Sequence, residues 1–294
     1  RVKGMYDIKT YTEVKTVQEA VGLLADNENA QIIAGGTDVL IKSRERKNGY
    51  IGRDLIGITR IPELKEIKIN SDGDIIIGAA ATFTEVEGNE IIVKNMKSLS
   101  DAVGSVGGPQ IRNVGTVGGN ICNGATSADS ASTLFAYNAV LLVTGKSGNK
   151  EIAIKDFYLG PGKVLLEQGD VLTAVKITKE NYEGYKGHYI KFSPRQAMDI
   201  ATLGCSVLLK ESNGVIEDIR IAYGVAGPTP LRAASAEEFA EGKTINDETL
   251  NEIGKFCLES ARARDSWRAS KAFREQLVEE LPKRAVKAII GGAR

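Results

Sequence analysis

The sequence predicts an α+β protein in two domains, and three observations predict it. At 294 residues, with 42% hydrophobic and 26% charged side chains, the chain can bury a core and has length enough for two domains. Its final third runs as strands followed by helices, a pattern that argues α+β over alternating α/β. A Gly/Tyr-punctuated connector, NYEGYKGH, separates that part from the rest, so the boundary is placed near Thr178, giving domains 1–178 and 179–294.

The elements follow in order. Thr16 and Glu19 form a capping box ahead of a helix with Val17, Ala20, Val21 and Leu24 on one face. The apolar run Ile32 to Ala34 is a strand that ends at Gly35-Gly36 in a tight turn. LKEIKIN and DIIIGAA flank Ser71-Asp72-Gly73 as a hairpin, and TFTEVEGNEIIVKN and LSDAVGSV are helical. A stretch from Gly104 to Ser130 then holds seven of the chain's 32 glycines and shows no helical period, which suggests backbone lying close to a ligand. Strands at EIAI and DVLTAVKIT close the first domain. In the second, YIKF, TLGCSVLLK and VIEDIRIAYGV are strands, the last two joined by a turn at Ser212-Asn213-Gly214. ETLNEIGKFCLES and SKAFREQLVEELPKRAVKAII are helices, with Pro282 kinking or interrupting the latter. The second domain should thus be an antiparallel sheet with helices on one face.

Composition excludes several functions. Lys plus Arg (38) equal Asp plus Glu (38), so no net field draws the chain to nucleic acid or an anionic membrane. Apolar runs such as Ile75–Ala81 fall far short of the ~20 residues that span a bilayer. The opening RVKGMYDIKTY lacks the apolar core of a secretory signal, Met5 reads as the natural start after four appended residues, and the cytoplasm is expected. Cys122, Cys205 and Cys257 lie far apart, and His188 is the single histidine, so no metal of the chain's own is expected. Trp267, flanked by Arg262, Arg264 and Arg268, is either an interface anchor or an aromatic packed on the core at a helix cap.

Chemistry concentrates in two loops. Ala34-Gly35-Gly36-Thr37-Asp38 follows a strand, and glycines there can turn successive N–H groups toward one anion. Thr37 adds a hydroxyl, and Asp38 could cap a helical turn or accept a hydrogen bond from a ribose or the backbone. Alone, such a loop is no more than a strand-to-helix turn. A second loop, Gly115-Thr116-Val117-Gly118-Gly119-Asn120, beyond the basic Arg112, also borders residues suited to a strand. Two such loops suit a ligand with two phosphates or a long body. The Rossmann G-x-G-x-x-G and the P-loop G-x-x-x-x-G-K-[ST] are both missing, which removes the main support for those classes.

With these loops, the run IRNVGTVGGNICNGATSADS (111–130), and the GPGKV, AMDI, GVAGPTPLR and SWRASKAFR segments, the chain resembles over essentially its whole length the FAD subunit of bacterial xanthine dehydrogenases. The resemblance implies a two-part FAD-binding domain of the vanillyl-alcohol-oxidase/PCMH type, then a CO dehydrogenase flavoprotein-like C-terminal domain. It assigns Gln31, Ile32, Ile33, Ala34, Gly35, Gly36, Thr37 and Asp38, and Gly115, Thr116, Val117, Gly118, Gly119 and Asn120, to the FAD. It adds Asp129, Val171, Ile190 and Lys191, and brings Asp199-Ile200 near the flavin ring. It implies partners as well: an iron–sulfur small subunit with [2Fe–2S] clusters and a large subunit with the molybdenum cofactor, with NAD⁺ as electron acceptor. Under this reading no side chain is a catalytic residue, because the redox chemistry is the cofactor's. Cys122 packs beside the second loop, His188 lies outside the site, and the cysteine-rich insertion of some relatives is missing. Two rivals remain: a single-chain flavin oxidoreductase of the same superfamily, and a nucleotide-binding assembly module without flavin.

Overall fold

The computed structural model describes residues 5–292. The four residues before Met5, read above as an appendage, lie outside that range. The first unit alternates β1 (Ile8–Glu13), α1 (Val17–Asp26), β2 (Ala30–Ile33), α2 (Val39–Arg44) and β3 (Arg53–Gly57). Its strands form a parallel sheet in the order β1-β3-β2, with α1 packed against it through Val17, Ala20, Val21 and Leu24. Neither β1 nor β3 was anticipated. β1 is exposed from Ile8 to Thr12, and β3 is too short to show a period. The capping box at Thr16 is half made: its hydroxyl accepts from Glu19 N at 3.2 Å, but the Glu19 carboxylate reaches Lys15 N.

The second unit is an antiparallel sheet in the order β4-β5-β10-β6-β7: β4 (Ile67–Ile69), β5 (Ile75–Gly78), β6 (Val140–Gly145), β7 (Gly148–Ala153) and β10 (Val171–Ile177). The expected 71–73 turn joins the first two. Between β5 and β6 the chain makes six short helices: α3 (Phe83–Gly88), α4 (Glu90–Asn95), α5 (Lys97–Gly104), α6 (Pro109–Arg112), α7 (Val117–Cys122) and α8 (Asp129–Ala136). These bury Phe83, Ile92, Leu99, Leu134 and Tyr137 over the sheet. After β7, α9 (Ile154–Phe157) precedes a two-stranded hairpin, β8 (Tyr158–Gly160) and β9 (Lys163–Val164). The glycine-rich 104–130 stretch is therefore substantially helical, against expectation. Short helices with paired glycines carry too few apolar repeats to register a period.

The third unit follows α10 (Lys179–Tyr182) and pairs β11 (Lys186–Phe192), β12 (Leu203–Ser212), β13 (Val215–Gly224) and β14 (Leu231–Arg232) in an antiparallel sheet. Asn213 and Gly214, both at positive φ (51° and 77°), make the two-residue turn between β12 and β13. Helices α11 (Ala234–Ala240), α12 (Asp247–Ser260) and α13 (Lys271–Ile290) cover one face, as expected. The other face is covered too, because α5 lies on β11 and α8 on β12 and β13. Burial on both sides explains the run Leu203–Leu209, apolar but for Ser206, every residue of which is buried.

α13 runs through Pro282 without interruption, so of the kink or interruption expected there the interruption is not made. A proline there leaves the carbonyl of Val278, four residues back, without its helical donor. Tyr223 on β13 supplies the replacement, its buried hydroxyl donating to Val278 O at 2.7 Å. Among the described residues no helix is long and apolar enough to cross a membrane.

Candidate functional site

The parallel sheet delivers the first glycine loop at the carboxyl end of β2, and the loop's last residue opens α2. Gly36 has φ +73°, a conformation glycine adopts without strain. Gly35 is required for a different reason: a Cβ there would sit 1.9 Å from the carbonyl oxygen of Val114. The first loop thus packs directly on the residue preceding the second. The amides of Gly35, Gly36, Thr37 and Asp38 donate to no other described residue, although the carbonyls of Gly36 and Asp38 accept from Leu40 N and Lys42 N at 2.9 Å. Free donors facing a cleft are what an anion requires. Asp38 stands at the N-cap of α2 but its side chain makes no capping bond.

The second loop is built otherwise. It is the start of α7, with Thr116 as N-cap accepting from Gly119 N at 3.0 Å. The N–H groups of Val117 and Gly118 are already spent on the carbonyls of Ala81 and Ala79, at 3.1 and 2.9 Å, and that of Asn120 on Thr116. Gly118 is glycine because a Cβ would meet Ala79 at 2.6 Å, where the helix seats on the sheet. The strand-like setting expected for this loop is corrected to a helix, and its contribution lies in side chains more than in free amides.

Both loops wall one cleft of about 400 Å³. Of the residues assigned from sequence, Gln31, Ile32, Ala34, Gly35, Gly36, Thr37, Asp38, Gly115, Thr116, Gly118, Gly119, Asn120 and Val171 line it. Ile33 and Val117 point into the core. Asp129 and Lys191 stand one layer behind. Asp129 begins α8, its carboxylate accepts from Lys191 Nζ at 2.9 Å and Tyr189 Oη at 2.7 Å, and Lys191 also donates to the carbonyl of Ser105 beside cleft-lining Val106. Burial pushes the Asp129 carboxyl up, against the pull of Lys191 and Tyr189. Ile190, alternating with these two, faces the C-terminal core instead. Asp199 is engaged by Arg195, and Ile200 is exposed.

Sequence reasoning missed the basic groups of the cleft. Arg112 pairs with Glu87 at 3.2 Å and serves the carbonyl of Val106. The cations lining the cleft are Lys42 and Arg53. Lys42 contacts the Asn123 side-chain oxygen and lies 4.8 Å from the Tyr50 ring centroid. Its position four residues beyond Asp38 was the available signal, since helical spacing returns it to the same face. Arg53 and the segment Leu166–Asp170 arrive from distant sequence and left none. Three buried polar atoms of the lining, Gln31 Oε1, Thr37 Oγ1 and Arg53 Nε, have no partner among the described residues. Such atoms are costly unless a ligand satisfies them. Cys122 also lines the cleft, its thiol pushed up to about 12 by burial and so inert at neutral pH. His188 sits half-buried on β11, away from the cleft, its pKa lowered by burial.

Unspent amides, orphaned polar groups, two cations and an apolar wall at Val171 and Leu172 define a protein that binds an elongated anionic cofactor. The chain belongs to the FAD-binding subunits of the xanthine dehydrogenase family. Residues 5–180 match the FAD binding domain in molybdopterin dehydrogenase, and residues 188–289 the CO dehydrogenase flavoprotein C-terminal domain. The chain is 40% identical over 289 residues, 98% of both chains, to the xanthine dehydrogenase FAD-binding subunit of Escherichia coli O157:H7. It is 29% identical to the glyceraldehyde dehydrogenase medium chain of Sulfolobus acidocaldarius, over 95% of this chain and 98% of that one. A solved carbon monoxide dehydrogenase from Hydrogenophaga pseudoflava superposes with a TM-score of 0.91 at 28% identity, covering 97% of this chain and 98% of that one. The cofactor of this domain is FAD, and the orphaned groups and free amides of the cleft fit it.

Proposed function

We propose that the chain is the electron outlet of a molybdenum hydroxylase, taking electrons from [2Fe–2S] clusters on a small partner subunit, fed by the molybdenum cofactor of a large one, and passing them to NAD⁺. The observation that carries this reading is the cleft with its unspent first-loop amides, set in a chain that matches xanthine dehydrogenase FAD-binding subunits end to end. Bound FAD supplies the chemistry of converting single-electron input into hydride output. The protein's share is binding and orientation. Gly35, Gly36, Thr37 and Asp38 hold the pyrophosphate by backbone N–H groups, Gln31–Ala34 lead the strand up to it, and Lys42 and Arg53 balance its charge. The Thr116 and Asn120 side chains hold the far side of the cofactor, and Val171 packs on its apolar part. Asp129 and Lys191 support the wall from behind, while Ile190 packs in the C-terminal core.

The same reading places the domain boundary at Thr178, supported by family matches that stop at 180 and resume at 188, and the complex in the cytoplasm. The test is reduction of the purified, FAD-loaded chain by NADH without oxygen. Bleaching of the flavin absorbance is expected. A chain that takes up no FAD overturns the binding assignment, and a flavin that binds but ignores NADH overturns NAD⁺ as acceptor.

A further inference from the structure

Trp267 is 86% exposed, and the loop that presents it is held by a buried charge. The loop spans residues 261–270, between α12 and α13, and contains a bridge between Ser266 and Ala269. Arg274, only 3% exposed, sends its guanidinium into the loop. It donates to the carbonyls of Arg264 and Ala269, to Ser266 Oγ at 2.8 Å, and to Thr202 O at 3.3 Å. Asp265 caps Lys271 N at 2.7 Å, and Arg262 N reaches Ala226 O at 2.7 Å. A buried guanidinium without a carboxylate partner is expensive. Its donors go instead to backbone and a hydroxyl, so the outlay shapes the loop.

What that shape displays is an aromatic ring among unpaired cations. Arg268 stacks its guanidinium on Trp267, 4.2 Å from the ring centroid. Arg262, Arg264 and Arg268 are exposed, and none forms an ion pair with another described residue. On a chain with zero net charge this is a local positive patch around a hydrophobic anchor. Preorganised Trp and Arg are the residues that dominate binding energy at protein interfaces. The reading of Trp267 as a core aromatic is thereby corrected.

We propose that the Trp267 loop is a docking site for an acidic face of a partner subunit in the same complex, Trp267 seating in an apolar pocket and the three arginines meeting carboxylates. The inference rests on the multi-subunit reading above. It is tested by co-expressing the tagged full-length chain with the iron–sulfur and molybdenum subunits and measuring complex affinity and flavin content for wild type, W267A and R264E/R268E. Both variants should keep full flavin content, since none of these residues lines the cleft, and lose roughly tenfold or more in affinity, with the wild-type complex weakening as salt rises. Wild-type affinity in W267A and R264E/R268E overturns the docking site alone, as does a Trp267-dependent dimer of this chain. A wild-type chain that joins no such subunit overturns the multi-subunit reading and the docking site with it.

Discussion

Gly35 and Thr37 show how much a single position carries here. A methyl group at Gly35 would demand that the Val114 carbonyl retreat from 1.9 Å, and overpacking of that kind costs about 1–3 kcal/mol. Gly35→Ala should therefore push the two loops apart, and the flavin-to-protein absorbance ratio of the purified chain should fall. An unchanged ratio would show that the loops tolerate separation. Thr37 behaves oppositely with and without ligand, because its buried hydroxyl has no partner among the described residues. Thr37→Val should leave the flavin-free chain as stable or more so, yet weaken FAD binding roughly tenfold. Thermal melts of the apo form and fluorescence titration with FAD read the two effects separately. Equal FAD affinity in Thr37→Val would remove this hydroxyl from the site. Both residues were legible in the sequence as members of an AGGTD turn. That Gly35 serves packing and Gly36 a positive φ was not, because the Val114 carbonyl comes from another part of the chain.

At the scale of elements, α13 depends on a strand that is remote in sequence. The carbonyl of Val278 that Pro282 leaves open is closed by Tyr223, so Tyr223→Phe should cost about 1–3 kcal/mol by leaving a buried acceptor unpaired. Pro282→Ala restores the helical N–H, and in that background the loss of the hydroxyl should cost much less. Urea unfolding of the two single variants and the double variant measures the coupling. An equal cost in both backgrounds would mean that the two residues act independently. The kink or interruption expected at Pro282 follows from local chemistry. Proline's penalty is set by whether the orphaned carbonyl finds a partner, and only packing on β13 provides one. The second loop makes the same point in reverse. Its glycines looked like a nest, but Ala79 and Ala81 had already taken the amides.

The whole molecule is joined across its domains by the buried contact of Lys191 and Tyr189 with Asp129. Removing the ammonium strands a carboxylate that is only 7% exposed, so Lys191→Met should cost up to about 3–5 kcal/mol at neutral pH. Burial already raises the Asp129 carboxyl, and without Lys191 it rises further. A carboxyl whose folded value exceeds its unfolded one, about 3.9, keeps a proton that the unfolded chain releases. Stability is then greatest below the unfolded value and is lost as pH rises through the folded one. The deficit of Lys191→Met relative to wild type should accordingly shrink as pH falls toward about 4, in urea unfolding at a series of pH values. A deficit that is flat with pH would place the effect in packing and not in charge.

By itself the sequence determined the α+β class, most of the longer strands and helices, the hairpin turns at 71–73 and 212–214, both glycine loops and the resemblance to flavin subunits. Periodicity, turn residues and glycine clusters act within a few positions, so they survive in a linear reading. Tertiary structure decided the rest: that the first loop keeps its amides free while the second spends them, that Lys42 and Arg53 face the cleft and Arg112 does not, and that Trp267 is displayed. Those outcomes depend on which carbonyl, carboxylate or core face arrives from afar, and on whether it leaves a polar group satisfied or still in need of a ligand.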